Sequence, residues 1–372
     1  MRENGMRKLG AAVVGLGVGR SHVEAYAGLE ASRLVAVCDV DEAKARDFGQ
    51  RFGARSYTTL DAVLADPDVE VVSIATPHPL HPAMAIQCAT AGRHVLVEKP
   101  MALEVSDCDA MIEAADRNRV SLGVIFQRRF WPAALRLRQA IAEGKIGVPV
   151  LGQCNLSWWR VQAYYDSAPW RGRWDTEGGG VLTNQGIHAI DMFQWFLGDA
   201  VEVYGRWANL THPSIEVEDN AAVTIRFKSG ALGVLTATTS SRWSHTRITV
   251  HGSNGASVGV IEEPEGAVGY NDVWTIPGEE HVVEESYREH IENGEYIYKV
   301  EPRGNSPHFW PTPYEYRQPG NPSFHARQIK NFLEAVASGD EPLVNGLEGR
   351  KSSQILAAIY ESARAGQPVR LE

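Results

Sequence analysis

Apolar runs alternate with amphipathic segments through the first third of the chain. The runs are rich in strand-forming residues and predict buried strands at residues 11–14, 34–38, 69–75, 94–97 and 120–126. Apolar positions at helical spacing predict helices at residues 21–29, 41–52, 59–64, 82–91 and 105–117. Strands separated by helices of this length are typical of a parallel, doubly wound sheet. We therefore predict an α/β domain over residues 1–126.

The pattern changes in the rest of the chain. After a predicted helix at 132–143, strands follow one another with one helix among them (185–197), at residues 150–160, 201–210, 221–227, 232–239 and 247–251. This predicts an α+β domain over 127–372 with a large, open, mostly antiparallel sheet. Residues 263–322 predict long loops with a few edge strands. Two amphipathic helices within 323–365 close the chain and can pack back on the first domain.

A glycine turn joins the first strand to the first helix. It consists of Gly15, Leu16, Gly17, Val18 and Gly19. A helix N-terminus behind such a turn directs backbone N–H groups and a positive dipole end at one spot, which suits a pyrophosphate. Arg20 occupies the place of the third glycine in the dinucleotide-binding pattern, so the match is looser than the full motif. The alternative is an α/β unit that binds no nucleotide.

Asp39 ends the second predicted strand, 24 residues after Gly15, where an acid meets the adenosine ribose hydroxyls. A carboxylate there would repel a 2′-phosphate, so we predict NAD as the cofactor. NADP stays open, because Arg20 or Lys44 could accommodate that phosphate.

Ligands of open α/β sheets bind at the carboxyl ends of the strands. The residues there that we expect to bind the cofactor are Thr76, Pro77, His81, Glu98, Lys99 and Gln127. Lys99 follows an apolar strand that has no packing use for an ammonium group. A nearby nicotinamide cation would lower the pKa of Lys99 and suit it to proton transfer. The alternative is a solvated lysine paired with Glu98.

Residues 178–191 read GGGVLTNQGIHAID. The glycines would let the backbone approach a ligand closely. Asn184, His188 and Asp191 share one face of the predicted helix. Their apolar neighbours leave a second possibility, a hydrogen-bonded core histidine. His188 and Asp191 lack further candidate zinc ligands, so we predict no metal.

Aromatic and basic residues cluster between residues 158 and 174, among them Arg160, Tyr164 and Trp170. Aromatic rings stack on the C–H faces of sugars, and Arg and Tyr donate hydrogen bonds to hydroxyl or carboxylate oxygens. The cluster therefore predicts a site for a polar substrate. An oligomer interface is the alternative, because interfaces are enriched in the same residues.

The composition excludes several classes of protein. A formal net charge of −10 and the lack of any Lys/Arg run argue against a nucleic-acid partner. The four cysteines show no zinc-like spacing and fit a reducing cytoplasm. The first eight residues lack the apolar core of a secretory signal, and no apolar run is long enough to span a membrane. We therefore expect a cytoplasmic protein.

The glycine turn, the Glu98-Lys99-Pro100 triplet and the 178–191 motif together resemble the Gfo/Idh/MocA oxidoreductase family, over essentially the whole chain. The resemblance implies a Rossmann domain followed by an α/β domain whose open sheet forms the interface of homodimers or homotetramers. It also implies an NAD(P)-dependent dehydrogenase or reductase that acts on the CH–OH group of a sugar, cyclitol or related polyol.

The resemblance also implies roles for individual residues. Lys99 matches the lysine that lies between nicotinamide and substrate, and His188 matches the general base. Asn184 stands where many members carry an aspartate that assists this histidine. An amide carries no charge, so protonated His188 should be less favoured here. The residues expected to hold the remaining substrate hydroxyls are Arg160, Tyr164, Asn184 and Asp191.

Three functions are compatible with these residues. The first is a sugar or cyclitol dehydrogenase. The second is a glycosidase or lyase of the same fold, in which a tightly held NAD oxidises and then re-reduces the substrate. The third is a nucleotide-binding regulator without turnover, which would have no need of Lys99 and His188 at the matching positions. We expect the first.

Overall fold

The computed structural model describes residues 7–262, 268–292 and 324–371. Two compact units make up the chain. Unit one comprises Met1–Gln127 and Pro322–Ser353, and unit two comprises Arg128–Asn321 and Gln354–Glu372. Among the described residues, no helix is both long and apolar enough to cross a membrane.

Strands and helices are numbered in chain order over the described residues. The strands are β1 (Leu9–Val14), β2 (Ser32–Cys38), β3 (Arg55–Tyr57), β4 (Val71–Ile74), β5 (His94–Val97), β6 (Leu122–Val124), β7 (Pro149–Ser157), β8 (Ala200–Ala208), β9 (Asn220–Phe227), β10 (Leu232–Thr238), β11 (His245–Gly252), β12 (Ser257–Glu262) and β13 (Val369–Arg370). The helices are α1 (Arg20–Gly28), α2 (Glu42–Phe52), α3 (Leu60–Leu64), α4 (His81–Thr90), α5 (Val105–Asn118), α6 (Pro132–Ala142), α7 (Gln162–Tyr165), α8 (Ile187–Leu197), α9 (Val282–Glu292), α10 (Phe324–Ser338) and α11 (Gly346–Ala365).

The described part of unit one contains a six-stranded sheet in the order β3-β2-β1-β4-β5-β6. Every neighbouring pair in it is parallel, which confirms the predicted doubly wound sheet. The order reverses between β1 and β4, and such a reversal opens a ligand crevice at the carboxyl ends of the strands. The glycine turn follows β1, so it lies at this point of the sheet.

The first helix of unit one packs against α10, although the two are far apart in sequence. Val23 and Tyr26 of α1 share a buried cluster with Ile329, Phe332 and Leu333 of α10. Apolar burial of this kind is the main stabilising term of a fold. The chain therefore returns to complete the core on which the glycine turn rests.

The described part of unit two contains a seven-stranded sheet in the order β12-β11-β7-β10-β9-β8-β13. Its strands pair antiparallel except β7 with β10, which run parallel. The sheet is therefore mixed, because β7 lies between β10, to which it is parallel, and β11, to which it is antiparallel. Helix α8 covers one face, where Phe193 lies over Gly152 and Gly233 with no room for a side chain on either glycine.

The opposite face of this sheet carries exposed apolar side chains, including Leu232 at 54% and Val234 at 43% exposure. Exposed apolar groups of this size are common at sites of association. Association of copies through the sheet stays a prediction.

The stretch 263–322 differs from expectation where the structure describes it. Helix α9 occupies part of it, whereas the sequence predicted loops and edge strands. Its amphipathic pattern and the acids of its first turn, Glu284 and Glu285, were the available signals. Residues 263–267 and 293–323 lie outside the described residues, as does the start of the predicted closing helix at 323.

Candidate active site

The glycine turn of unit one is closely packed on one side and open on the other. Gly15 has a φ of +89°, and a Cβ there would lie 2.4 Å from the carbonyl oxygen of Ala75. A Cβ on Gly17 would meet no atom within 4 Å, and the neighbouring Val18 is 62% exposed. The fold therefore requires glycine at position 15, on the packed side of the turn. On the open side, at Gly17, there is space for a ligand to approach the backbone.

Asp39 holds this turn in place from the end of β2. Its carboxylate accepts hydrogen bonds from the N–H groups of Leu16, at 2.8 Å, and Asp41, at 3.0 Å. Lys44 Nζ lies 3.1 Å from the same carboxylate. Partial burial opposes the charged form of Asp39, but these donors keep its pKa below the usual value. The acid is therefore ionised at the edge of the turn, and Lys44 lies beside it.

The N-terminus of α1 behind the turn has no side-chain cap. Arg20, which replaces the third glycine, points its guanidinium to Glu24 one helical turn later, at 3.1 Å. An uncapped N-terminus beside an open glycine turn fits the pyrophosphate of a dinucleotide. The residues of this region therefore fit NAD, which they would hold through the turn and Asp39.

The structure places His81, predicted to contact the cofactor, in the interior of unit one. Its ring is fully buried, with Nδ1 at 3.0 Å from the carbonyl oxygen of Pro100 and Nε2 at 2.9 Å from that of Thr76. Burial lowers the pKa of His81. The ring therefore joins the segments after β4 and β5, and it positions Thr76, Pro77 and Lys99 rather than touching a ligand.

Glu98 was also expected to bind the cofactor, but its carboxylate is buried within the protein. Oε1 lies 3.1 Å from His22 Nε2, and Oε2 accepts a hydrogen bond from the N–H of Lys99. A directed chain satisfies every group if Tyr26 donates to Ser73, Ser73 to His22 Nδ1, and His22 Nε2 to Glu98. Glu98 therefore fixes the backbone that carries Lys99.

The charge of this buried network is set by Glu98. Burial opposes ionisation of Glu98, but the hydrogen bond from His22 lowers its pKa to about 2. His325 Nε2 lies 3.9 Å from Glu98 Oε1, and burial lowers the pKa of His325 to about 4. The sequence did not indicate His22 or His325, because their contacts with Glu98 join distant parts of the chain.

Gln127 lies in a short 3₁₀ turn after β6, and β6 ends at Val124, two residues before the predicted end of the strand at residue 126. Its Oε1 is buried and has no hydrogen-bond partner among the described residues. A buried acceptor without a donor is costly, and a ligand hydroxyl could satisfy it. The next two residues, Arg128 and Arg129, belong to unit two and form buried ion pairs there.

In unit two, the 178–191 motif forms a π-helical turn, Leu182–Gly186, that leads into α8. π-Helical turns are rare and are frequent at functional sites. Asn184 lies in the turn, and the largely buried His188 lies in the first turn of α8. Asn184 and His188 are thus brought one turn apart, as the spacing predicted.

Asp191, the third residue predicted on this helix face, forms a buried ion pair. Arg129 Nε and Nη2 donate to its two carboxylate oxygens at 2.8 and 2.7 Å, and both side chains are fully buried. A bidentate pair leaves the carboxylate committed to the guanidinium. Asp191 therefore anchors α8 through Arg129, where the sequence predicted a contact with substrate.

Two of the three glycines of the motif, Gly179 and Gly180, pack closely against other parts of unit two, where the sequence predicted approach of a ligand. A Cβ on Gly180 would lie 1.9 Å from the carbonyl oxygen of Glu218, and one on Gly179 would lie 2.0 Å from Tyr360 Oη. The Glu218 carboxylate accepts hydrogen bonds from the N–H groups of Gly180 and Leu182. The glycines let this buried acid cap the start of the π-helical turn. Burial raises the pKa of Glu218 to about 7.

Glu177 is a further buried acid, 1% exposed, that the sequence pattern did not reveal. Its Oε1 accepts a hydrogen bond from Asn184 Nδ2 at 2.5 Å, and its Oε2 accepts one from the N–H of Gly172 at 2.6 Å. The only sequence signal was an acid directly before the glycines. The Glu177 carboxylate is therefore hydrogen-bonded to Asn184, the amide that stands where the family resemblance implies an aspartate.

The aromatic and basic cluster forms a stacked ladder. Arg160 lies between the rings of Trp158, at 5.2 Å, and Tyr164, at 4.8 Å. Arg171 lies between Tyr164, at 4.2 Å, and Trp170, at 4.3 Å. The hydroxyl of Tyr164 lies 3.3 Å from Asn184 Nδ2, so the ladder reaches the His188 region. Alternating flat rings and guanidinium groups suit a ring-shaped polar ligand.

Comparison with known proteins agrees with this division into a dinucleotide-binding unit and a second unit. A sequence model of an oxidoreductase family with an NAD-binding Rossmann fold matches residues 9–126. A model of the GFO/IDH/MocA C-terminal domain matches residues 134–258. The fold and the matches define an NAD-binding oxidoreductase. The chain belongs to the Gfo/Idh/MocA family, as the sequence motifs indicated.

Relatives match along the whole chain. The myo-inositol 2-dehydrogenase of Thermotoga maritima is 28% identical over 97% of this chain and 98% of its own. The crystal structure of the WlbA dehydrogenase from Bordetella pertussis, in complex with NADH and UDP-GlcNAcA, has a TM-score of 0.83 and 31% identity, with 98% of each chain covered. The aldose-aldose oxidoreductase of Caulobacter crescentus, complexed with glycerol, has a TM-score of 0.78 and 27% identity, covering 98% of this chain and 100% of its own.

Proposed function

We propose that this enzyme oxidises a secondary alcohol of a sugar, cyclitol or related polyol with NAD⁺. The observation that supports the proposal is the contact of Asn184, one turn before His188, with Tyr164 of the Arg–aromatic ladder, in a family of NAD-binding oxidoreductases. A ladder of this kind supplies flat faces for a sugar ring and donors for its hydroxyl groups. The substrates named for the relatives, inositol and a nucleotide-linked sugar acid, are of the same chemical kind.

The residues of unit one bind and orient the cofactor. The glycine turn would hold the pyrophosphate, the ionised Asp39 would accept hydrogen bonds from the adenosine ribose, and Gln127 Oε1 would accept one from a hydroxyl of the cofactor. When bound, NAD⁺ would supply the acceptor for the hydride of the alcohol carbon. Asp39 favours NAD over NADP, since its charge repels a 2′-phosphate.

Two residues manage the proton and the developing charge. His188 accepts the hydroxyl proton as the C–H bond breaks, because a neutral imidazole is available near pH 7. The Lys99 ammonium stabilises the negative charge that develops on the alcohol oxygen. Arg160, Tyr164 and Trp170 hold the sugar ring and its other hydroxyls. Glu98 and His81 keep the backbone around Lys99 in place.

The test of these roles is a pair of variants, Lys99→Ala and His188→Ala. We expect each to lower kcat/KM at least about a hundredfold, within the range of about 10²–10⁴ for general acid–base catalysis. NAD⁺ affinity, measured by calorimetry, should stay within about threefold of wild type, because the turn and Asp39 are untouched. Near-normal turnover by either variant would remove that residue from the proposed mechanism.

A further inference from the structure

The residues around His188 pose a problem of charge. Asn184 occupies the position at which the family resemblance implies an aspartate, and an amide cannot neutralise an imidazolium. The ladder adds positive charge, since Arg160 and Arg171 both stack on Tyr164, whose hydroxyl reaches Asn184. Positive neighbours disfavour the protonated form of a histidine. A base that must accept a proton in this setting requires a compensating anion.

We propose that Glu177 is that anion: a positioning residue that acts on His188 through Asn184. The inference rests on the proposed role of His188 as the base. Glu177 accepts a hydrogen bond from Asn184 Nδ2 at 2.5 Å, and Asn184 lies one turn before His188. Position 184 carries an amide instead of a carboxylate, and the carboxylate of Glu177 is hydrogen-bonded to that amide.

The geometry fixes Glu177 in this role. Its second oxygen accepts the N–H of Gly172, so the carboxylate is held at both ends and is 1% exposed. Its two hydrogen bonds to N–H donors favour the ionised form of the Glu177 carboxylate, whereas its burial opposes that form, so the variants below must measure the charge itself. Water does not reach this acid, so its field is screened less than that of a surface acid.

The contact also orients the amide of Asn184. Its Nδ2 donates to Glu177 and lies within reach of Tyr164 Oη, at 3.3 Å, so Oδ1 is the atom that can accept from a neighbour. A hydrogen-bond donor polarised by a carboxylate makes its amide oxygen a stronger acceptor. Glu177 thereby brings a negative charge next to Asn184, one turn before His188, where it stabilises the positive charge of the protonated ring. The proton moves from the substrate hydroxyl to His188, and Glu177 and Asn184 keep their protonation states throughout.

Other charged and titratable groups of unit two surround this pair. Among the residues that the structure describes, they include Arg160, Arg171, Tyr164, Asp191, Glu218 and Tyr360. Asp191 is committed to Arg129, and Glu218 caps the π-helical turn and accepts from Tyr360. Glu177, in contrast, is hydrogen-bonded to Asn184. The test must therefore move this one charge and leave the others in place.

Exchange of the two side chains does this. Glu177→Gln removes the charge, and Asn184→Asp in the same protein returns it one step closer to His188. The new amide at position 177 would then donate to the new carboxylate at position 184, so the hydrogen bond survives with donor and acceptor reversed. Asn184→Asp alone would place two carboxylates against each other, which disfavours ionisation of both. The control is Glu216→Gln, because Glu216 is an exposed acid paired with Arg173.

Two readouts are made on the enzyme with NAD⁺ bound: the pH profile of kcat/KM for polyol oxidation, and the titration of the His188 ring by NMR. We expect Glu177→Gln to lower the His188 pKa by about one unit and to lower kcat/KM about tenfold. The double variant should return the His188 pKa towards its wild-type value and kcat/KM to within about threefold of wild type. Glu216→Gln should change neither.

The inference fails if Glu177→Gln titrates and turns over like Glu216→Gln, or if the folded double variant recovers nothing. In either case, a fall of kcat/KM in His188→Ala would still support the proposed function. If His188→Ala itself turns over normally, the proposed function fails, whatever Glu177 does.

Discussion

At the scale of single residues, Gly17 has the role that can be tested most cleanly. A Cβ at this position meets no atom within 4 Å, so nothing in the described fold requires glycine there. The space belongs to the open side of the turn after β1, where a pyrophosphate would approach the backbone. Gly17 therefore separates the needs of the fold from those of the cofactor.

We predict that Gly17→Ala leaves the unfolding midpoint unchanged and weakens NAD⁺ binding at least about tenfold, or about 1.4 kcal/mol of binding free energy. The added methyl group would occupy the space that the cofactor needs. Calorimetry measures the affinity and thermal unfolding measures the stability. Gly28→Ala is the matched control, since a Cβ there also meets nothing within 4 Å but lies at the end of α1. Equal NAD⁺ affinity in the two variants would contradict the assignment of the turn.

The limit of sequence reasoning also lies at this scale. The residue types and their spacing along the sequence were enough to select Gly15, Asp39, Asn184 and His188 as candidates. They could not show that His81 and Asp191 are committed to buried partners, because those partners, Pro100 and Arg129, become neighbours only in the folded chain. Glu177 was missed for the same reason, because its contact with Asn184 depends on a loop that the sequence leaves undetermined.

At the scale of elements, α8 is the helix on which the proposed chemistry depends. All of its residues are buried, it packs on the mixed sheet, and Arg129 fixes it through Asp191. Glu218 caps the π-helical turn before it. His188 is therefore presented by a rigid element, which favours precise placement of a catalytic group.

Removal of one partner of a buried ion pair leaves an uncompensated charge. We predict that Asp191→Ala lowers the free energy of unfolding by about 3–5 kcal/mol, because Arg129 would stay buried without its acceptor. Urea unfolding measures the loss. Glu216→Ala is the comparison, since its exposed pair with Arg173 should be worth less than about 1 kcal/mol. Equal stability of the two variants, with a raised KM in Asp191→Ala, would restore Asp191 as a substrate ligand.

Elements with a strong apolar pattern were predicted well, and weakly patterned ones were not. The strands β1, β2, β4 and β5 and helices α2, α5 and α6 lie within a few residues of their predicted bounds. Strands β3 and β13 are two or three residues long and carry no periodic signal. The sequence predicted an ordinary helix from residue 185, whereas the structure has a π-helical turn at Leu182–Gly186 before α8.

At the scale of the whole molecule, the chain combines two units with different tasks. Unit one has the strand order and glycine turn of a dinucleotide-binding domain, and unit two has a mixed sheet that carries α8. The order of motifs along the chain indicated the family before any strand pairing was known. The parallel pairing of β7 with β10 could not be read from the chain, since it joins strands that are separated by two others in sequence.

The most direct test of the account is to incubate the purified enzyme with NAD⁺ and a panel of inositols, hexoses, anhydro sugars and uronic acids, and to follow NADH absorbance. We predict that NADH accumulates with at least one class of ring polyol, and that Lys99→Ala and His188→Ala abolish the signal while NAD⁺ still binds. An enzyme that binds NAD⁺ yet releases no NADH with any member of the panel would contradict the proposed net oxidation of a polyol.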